Sequence, residues 1–211
     1  MCGIAFILSK KNSKISDDLN KHFIKYLYDR GPNNQNFYSE KNFSLISTRL
    51  SVIDTDNRSD QPFFSECNNF IMVFNGMIYN YRDLKKKYLK DCAFSTSSDT
   101  EVVLNMYIKY GKDCLKYLDG MFAFIIYDKK KNNFFIARDK IGIKPLYFCS
   151  NENYIFFSSS FKSLIQFSQK KISQSGLADY LKFGYSLEPN TILDDIKIFP
   201  NSSYAEIDTL K

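Results

Sequence analysis

A continuous apolar run, Ile4-Ala5-Phe6-Ile7-Leu8, begins at the fourth residue of the chain. Five apolar residues without alternation read as a strand covered on both faces. Chain ends usually fray because few contacts hold them, yet this one is anchored in a core. The residues in front of the run are Met1-Cys2-Gly3. A small residue follows Met1, so removal of Met1 by an aminopeptidase is expected. Cys2 then carries both a thiol and the free α-amine, a nucleophile and a candidate base on one residue.

The rest of the composition narrows the chemistry. There is one histidine, His22, on the border of the apolar stripe Leu19, Phe23, Tyr26 and Leu27 of an amphipathic helix over Asp17 to Tyr28. A Cys-His or Ser-His enzyme would have to use that one imidazole, and a structural or surface role suits it better. The α-amine of Cys2 is the alternative base, with an unperturbed pKa of about 7.7–8.0, close to where general-base chemistry operates. The other cysteines, Cys67, Cys92, Cys114 and Cys149, have no metal-ligand spacing and read as core or part-buried small hydrophobes. An odd cysteine count, with no signal peptide or apolar span, points to a reducing, cytoplasmic setting. The formal net charge of +6 comes from short clusters, Lys85-Lys86-Lys87, Lys129-Lys130-Lys131 and Lys170-Lys171. These read as solvated surface rather than a nucleic-acid groove, which would interleave arginine and aromatics along one element.

Along the chain, Tyr28 to Asn34 reads as a turn-rich loop and Phe43 to Thr48 as a strand. Phe70 to Phe74 reads as a buried strand that stops at Asn75-Gly76, a strong turn signal. Helices are expected over Asp83 to Lys90, Cys114 to Leu118, Phe161 to Phe167 and Leu177 to Phe183, and a short strand over Cys92 to Thr96. Ser98-Asp99-Thr100-Glu101 matches a capping box and opens a helix through Tyr110, ended by Gly111. Two hairpins follow: Met121 to Tyr127 with Phe134 to Arg138, and Pro145 to Cys149 with Tyr154 to Ser159. Hairpins dominate and βαβ repeats are lacking, which argues for an α+β fold of antiparallel sheets with helices outside. No Rossmann glycine pattern or P-loop marks a nucleotide site.

Arg49, Asn75-Gly76 and Asp99 each punctuate the end of a strand or the start of a helix. Each has an ordinary reading: a surface ion pair, a hairpin turn, a helix-start residue. Taken with Met1–Ala5, the set resembles the glutaminase domain of glutamine-hydrolysing asparagine synthetase, a class II glutamine amidotransferase of the N-terminal nucleophile hydrolase superfamily. The matching segments are Met1–Ala5, Arg30-Gly31-Pro32, Arg49–Asp54, Gln61-Pro62, Phe74–Tyr81, Ser98–Glu101, Gly120–Phe124, Ala137–Tyr147 and Tyr180 to Tyr185. The chain departs from the family pattern at Asn33 (usually acidic), at Met77 (usually Glu), at Ser47-Thr48 before Arg49 (usually with a His), and at Ser160 or Phe161 (usually Glu). None of these removes a residue given a chemical role. Met77 and Phe161 bear on contacts to a downstream synthetase domain.

The resemblance implies a four-layer αββα sandwich of two mainly antiparallel sheets. It implies a glutaminase domain over 1–190 and an extension over 191–211 leading toward a synthetase domain that the chain lacks. Glutamine would bind as a zwitterion, its carboxylate on Arg49, its ammonium on Asp99, with Leu50, Ser51, Val52, Ile53 and Met77 lining the pocket. Cys2 would attack the side-chain amide, and the Asn75 side chain and Gly76 backbone N–H would meet the oxyanion. No cofactor is implied in this chain; ATP and Mg would belong to the synthetase domain. The partners implied are glutamine and a synthetase domain or subunit, with a homodimer possible and neither nucleic acid nor membrane involved. A non-catalytic domain that kept the fold, and the glutaminase part of a sugar or phosphoribosyl amidotransferase, are the alternatives.

Overall fold

The computed structural model describes residues 1–208, so the last three residues of the expected 191–211 extension lie outside it. The strands in chain order are β1 (Gly3–Ser9), β2 (Asn34–Ser39), β3 (Phe43–Arg49), β4 (Phe63–Phe64), β5 (Phe70–Ile78), β6 (Gly120–Asp128), β7 (Asn133–Arg138), β8 (Tyr147–Ser150), β9 (Tyr154–Ser158), β10 (Ile196–Ile198) and β11 (Tyr204–Asp208). The helices are α1 (Asp17–Leu27), α2 (Tyr81–Tyr88), α3 (Asp99–Tyr110) and α4 (Gln174–Phe183). The strands form a six-stranded sheet, β10-β8-β9-β1-β3-β2, and a five-stranded sheet, β11-β7-β6-β5-β4. The ladders between named strands are antiparallel.

The strand β1 explains its own sequence. It lies between β3 and β9, and all seven of its residues are buried. Ile4, Phe6 and Leu8 face the second sheet, meeting Ile71, Val73, Ile125 and Phe134 in the central core. Ala5 and Ile7 point the other way, toward Phe23 and Leu27 of α1. Both faces are covered, so no polar alternation is needed. The outer face of the second sheet, with Met72, Phe74, Phe124 and Phe135, packs on Val102, Val103 and Met106 of α3 and Leu84 of α2. Helix, sheet, sheet and helix are thus stacked in four layers, the expected αββα sandwich.

Several local readings change. Asn75-Gly76 is not a turn: β5 runs straight through it to Ile78, with Asn75 opposite Ala123 and Gly76 opposite Phe122. The glycine serves close approach instead. A Cβ there would sit 2.5 Å from the Met121 carbonyl oxygen and 2.9 Å from the Phe122 Cα. Cys92 to Thr96 forms no strand, because the Ser95 and Thr96 N–H groups donate to the Glu101 carboxylate rather than to a neighbouring strand. Phe161 to Phe167 is two short 3₁₀ turns, Phe161–Ser163 and Ile165–Phe167. There Ser158, Ser160 and Ser163 bond among themselves in competition with a regular helix. The expected Cys114 to Leu118 helix is a 3₁₀ stretch over Gly111–Lys116. The Asn-rich edge strand β2 arises where a loop was expected to end. Cys67 is exposed rather than packed, in the turn between β4 and β5. His22 has the structural role expected, with Nε2 2.9 Å from the Ser163 carbonyl oxygen and its ring against Phe23, Tyr26 and Phe167.

Candidate active site

Pairing of β1 with β3 places Gly3 opposite Thr48, so Cys2 lies beside the segment that leaves β3. The Leu50 N–H points at Cys2 Sγ from 3.4 Å, and the thiol in turn reaches the Leu50 carbonyl oxygen at 3.7 Å. Arg30 Nε donates to the Cys2 carbonyl oxygen at 3.2 Å, which fixes the Cys2 backbone. A cavity of about 150 Å³ opens in front of this thiol. Leu50, Val52 and Ile53 line it from the loop after β3, Asn75, Gly76 and Met77 from β5, and Asp99 from the start of α3. Ser51 does not line it; its N–H donates to Asn33 Oδ1 at 3.0 Å. Asn33 therefore offers an acceptor at the position where the resemblance expected an acidic side chain.

Asn75 is 1% exposed, and its Nδ2 has no hydrogen-bond partner. A buried amide donor left unpaired costs about 1–3 kcal/mol, so its presence at a cavity wall marks a position that awaits an acceptor. Its neighbour Gly76 brings a backbone with no Cβ to the same wall.

Asp99 is the first residue of α3, behind the N-cap Ser98, whose hydroxyl accepts from the Thr100 N–H. The Ile78 N–H donates to Asp99 Oδ2 at 2.9 Å. Burial pushes this carboxyl above the ordinary aspartate value, and the N–H groups of Ile78, Thr100 and Asp99 itself only partly offset that. A cationic ligand group would relieve it.

Arg49 reaches the cavity but is already engaged. It is buried, pairs with Asp60 at 2.7 Å, and donates to the Asp56 carbonyl at 3.1 Å and to the carbonyls of Ile53 and Asp54. Both terminal nitrogens thus brace the loop over residues 50–60. A substrate carboxylate would share this guanidinium with the loop that it holds.

Four further residues, Gln61, Ser98, Met121 and Lys144, shape the site, and sequence reasoning assigned none of them a part in its chemistry. Gln61 accepts from the Phe74 N–H at 2.6 Å and so ties the loop to β5. Ser98 and Met121 complete the wall. Lys144 is 4% exposed and lines the cavity, with Nζ 3.1 Å from the Met1 thioether. Gln61 and Lys144 both fall in segments that carried the family resemblance, but neither has a local pattern that announces chemistry. The N-terminal amine of Met1 lies below its ordinary value, first through burial and then through the charges of Arg30 and Lys144, with Cys2 opposing. Among the described residues no group of three or more His, Cys, Asp or Glu side chains could hold a metal ion, and no helix is long and apolar enough to cross a membrane.

A family model described as a glutamine amidotransferase domain matches residues 1–211. Asparagine synthetase [glutamine-hydrolyzing] 1 of Bacillus subtilis (strain 168) is 33% identical over 210 residues, which is 97% of this chain and 33% of the relative. Asparagine synthetase B [glutamine-hydrolyzing] of Escherichia coli (strain K12) is 34% identical over 169 residues, 78% of this chain and 30% of the relative. The chain thus spans about a third of the length of these relatives. Among solved structures, the allosteric regulatory enzyme of purine biosynthesis aligns at TM-score 0.69 and 17% identity, over 99% of this chain and 47% of the other. The glutamine phosphoribosylpyrophosphate amidotransferase of B. subtilis aligns at TM-score 0.63 and 18% identity, over 98% and 49%. At such identities these two likenesses speak to the fold alone.

Proposed function

The chain belongs to the glutamine amidotransferase domain family, and from that premise we propose that it hydrolyses glutamine to glutamate and ammonia through a thioester on Cys2. The observation that carries this reading is the unpaired Asn75 Nδ2 in the wall of the cavity that Cys2 faces. Asp99 takes the α-ammonium of glutamine and Arg49 its α-carboxylate, while Leu50, Val52, Ile53 and Met77 enclose the stem; Ser51 supports the loop through Asn33. Once Met1 is removed, the α-amine of Cys2 accepts the thiol proton and the thiolate attacks the amide carbon. Asn75 Nδ2 and the Gly76 N–H donate to the oxyanion. The resulting α-ammonium returns its proton to the amide nitrogen as the C–N bond breaks and ammonia leaves. Water, deprotonated by the same amine, then attacks the thioester carbonyl; glutamate departs and the thiol is restored.

The ammonia goes to an ATP-dependent amide-forming synthetase domain or subunit, as the names of the relatives suggest, and ATP and Mg belong to that unit. A candidate contact for it is α4 and the residues just after it, where Tyr180, Leu181, Phe183 and Tyr185 are exposed, Leu181 by 77%. The test is a glutaminase assay on purified chain whose mass shows Met1 removed. Cys2→Ala abolishes turnover while the melting temperature stays put, and Asn75→Ala lowers kcat by about 10²–10³. Full turnover by Cys2→Ala, or by chain that retains Met1, would refute the reading.

A further inference from the structure

The loop from Asp139 to Pro145 is built to deliver one side chain. The Asp139 carboxylate accepts four backbone N–H groups: Phe122 at 3.1 Å, Ile141 at 3.3 Å, Ile143 at 2.9 Å and Lys144 at 3.0 Å. Arg138 donates to the Lys144 carbonyl at 2.8 Å and to the Gly142 carbonyl at 2.7 Å. Gly142 has φ of +70°, and a Cβ there would collide with the Arg138 guanidinium at 2.7 Å. The loop turns Ile141 and Ile143 outward, 73% and 49% exposed, and turns the charged residue inward. Placing apolar side chains in water and an ammonium in the interior runs against ordinary burial. Among the described residues Lys144 makes no ion pair. Its one polar side-chain contact is a thioether sulfur, a weak acceptor that leaves with Met1.

The charged groups around the site leave this cation without a fixed counter-charge. Arg30 approaches Cys2 from the 3₁₀ turn over Tyr28–Arg30, with Nη2 buried and unpaired. Arg49 and Asp60 pair with each other. Asp99 faces the cavity from α3 with the Ile78 N–H on it. Asp139 is close but ringed by its four N–H donors, Arg138 bonds to Glu188, and the Tyr147 phenol lies near Arg30. The group close to Lys144 that can become an anion and that no ion pair or ring of N–H donors engages is the Cys2 thiol, which Arg30 also approaches.

On the glutaminase reading above, we infer that Lys144 is a positioning residue for the nucleophile, its ammonium favouring the thiolate of Cys2 and the uncharged form of the Cys2 α-amine. A nearby positive charge stabilises an anion and opposes a second cation. Both effects carry the reactive state to lower pH. The Met1 amine at the same place is held down first by burial and then by the charges of Arg30 and Lys144, with Cys2 opposing.

The test compares Lys144→Met, which keeps the stem and removes the charge, with Lys144→Arg, which keeps the charge. Two profiles are read against pH on chain with Met1 removed: kcat/KM for glutamine, and the rate of Cys2 alkylation by iodoacetamide, with the Cys2 peptide followed by mass to separate it from the exposed Cys67. Lys144→Met moves the acid limb of both up by about one pH unit, a tenfold loss on that limb and little change on the plateau. Lys144→Arg holds both limbs where the parent has them. An equal loss at every pH, or an unmoved alkylation profile, overturns the assignment. Should Lys144→Met fail to fold, Lys144→Gln reads the same limb. If the parent alkylates normally but does not hydrolyse glutamine, the glutaminase reading fails, while the alkylation profile still decides the role of Lys144.

Discussion

On the proposed glutaminase reading, Asp99 meets two opposed demands. Binding an ammonium needs its charge, while its position behind the Ser98 cap buries that charge. Burial holds its carboxyl above the ordinary value, so the folded chain favours the neutral form more than the unfolded chain does, and this residue's contribution to stability falls as pH rises through its folded-state pKa. Asp99→Asn keeps an oxygen for the Ile78 N–H and removes the cost of the charge. Its melting temperature at neutral pH therefore equals or exceeds the parent's, while KM for glutamine rises about 10–100-fold with the loss of a charge-assisted bond. In the parent, KM climbs on acidification before the ordinary carboxylate range is reached. A variant that both melts earlier and keeps its KM would show that Asp99 only holds the Ile78 N–H at the start of α3.

At the scale of elements, the approach to α3 rests on one carboxylate. Glu101 accepts from Ser95 N–H and Oγ at 2.9 and 3.0 Å, and from Thr96 N–H and Oγ1 at 2.8 and 2.6 Å. Glu101→Ala leaves those donors without an acceptor and costs about 3 kcal/mol in denaturant unfolding; Asp99, two residues away, shifts with the loop, so KM rises as well. The sequence pattern Ser-x-x-Glu placed this helix start correctly but named the wrong bond, because the Glu reaches past the cap residue to the preceding loop. The same contrast runs through the chain. β1 and the β6–β7 hairpin were legible as unbroken apolar runs, β3 through its alternating apolar residues, and α1 and α3 through apolar residues at helical spacing. The course of β5 through Asn75-Gly76 was not, because a turn signal is local and continued pairing with β6 is a long-range fact. β2 was hidden by asparagines that disfavour strands and are tolerated at a sheet edge. The site shows the same division. Cys2, Asn75, Gly76 and Asp99 stood out through a family pattern. The engagement of Arg49 by its own loop and the inward turn of Lys144 depend on contacts that only the fold makes.

At the scale of the whole molecule, the proposed nucleophile and its proposed oxyanion donors belong to different sheets. Cys2 leads into β1 of one, and Asn75 and Gly76 sit in β5 of the other. Between them lies the central core, where Phe6 and Phe43 of the first sheet meet Phe134 of the second at ring-centroid distances of 4.3 and 4.8 Å. The spacing across the site is therefore calibrated by side chains that never touch glutamine. Phe134→Leu lets the layers settle toward each other, and because misplacement by about 1 Å can cost 10²-fold, kcat falls by an order of magnitude or more under conditions where circular dichroism shows the chain still fully folded. An unchanged kcat in that variant would mean that the rims of the sheets are held independently of their middle. The sandwich then works as a caliper: its jaws are the two reacting strands, and the thickness of the aromatic filling sets the gap.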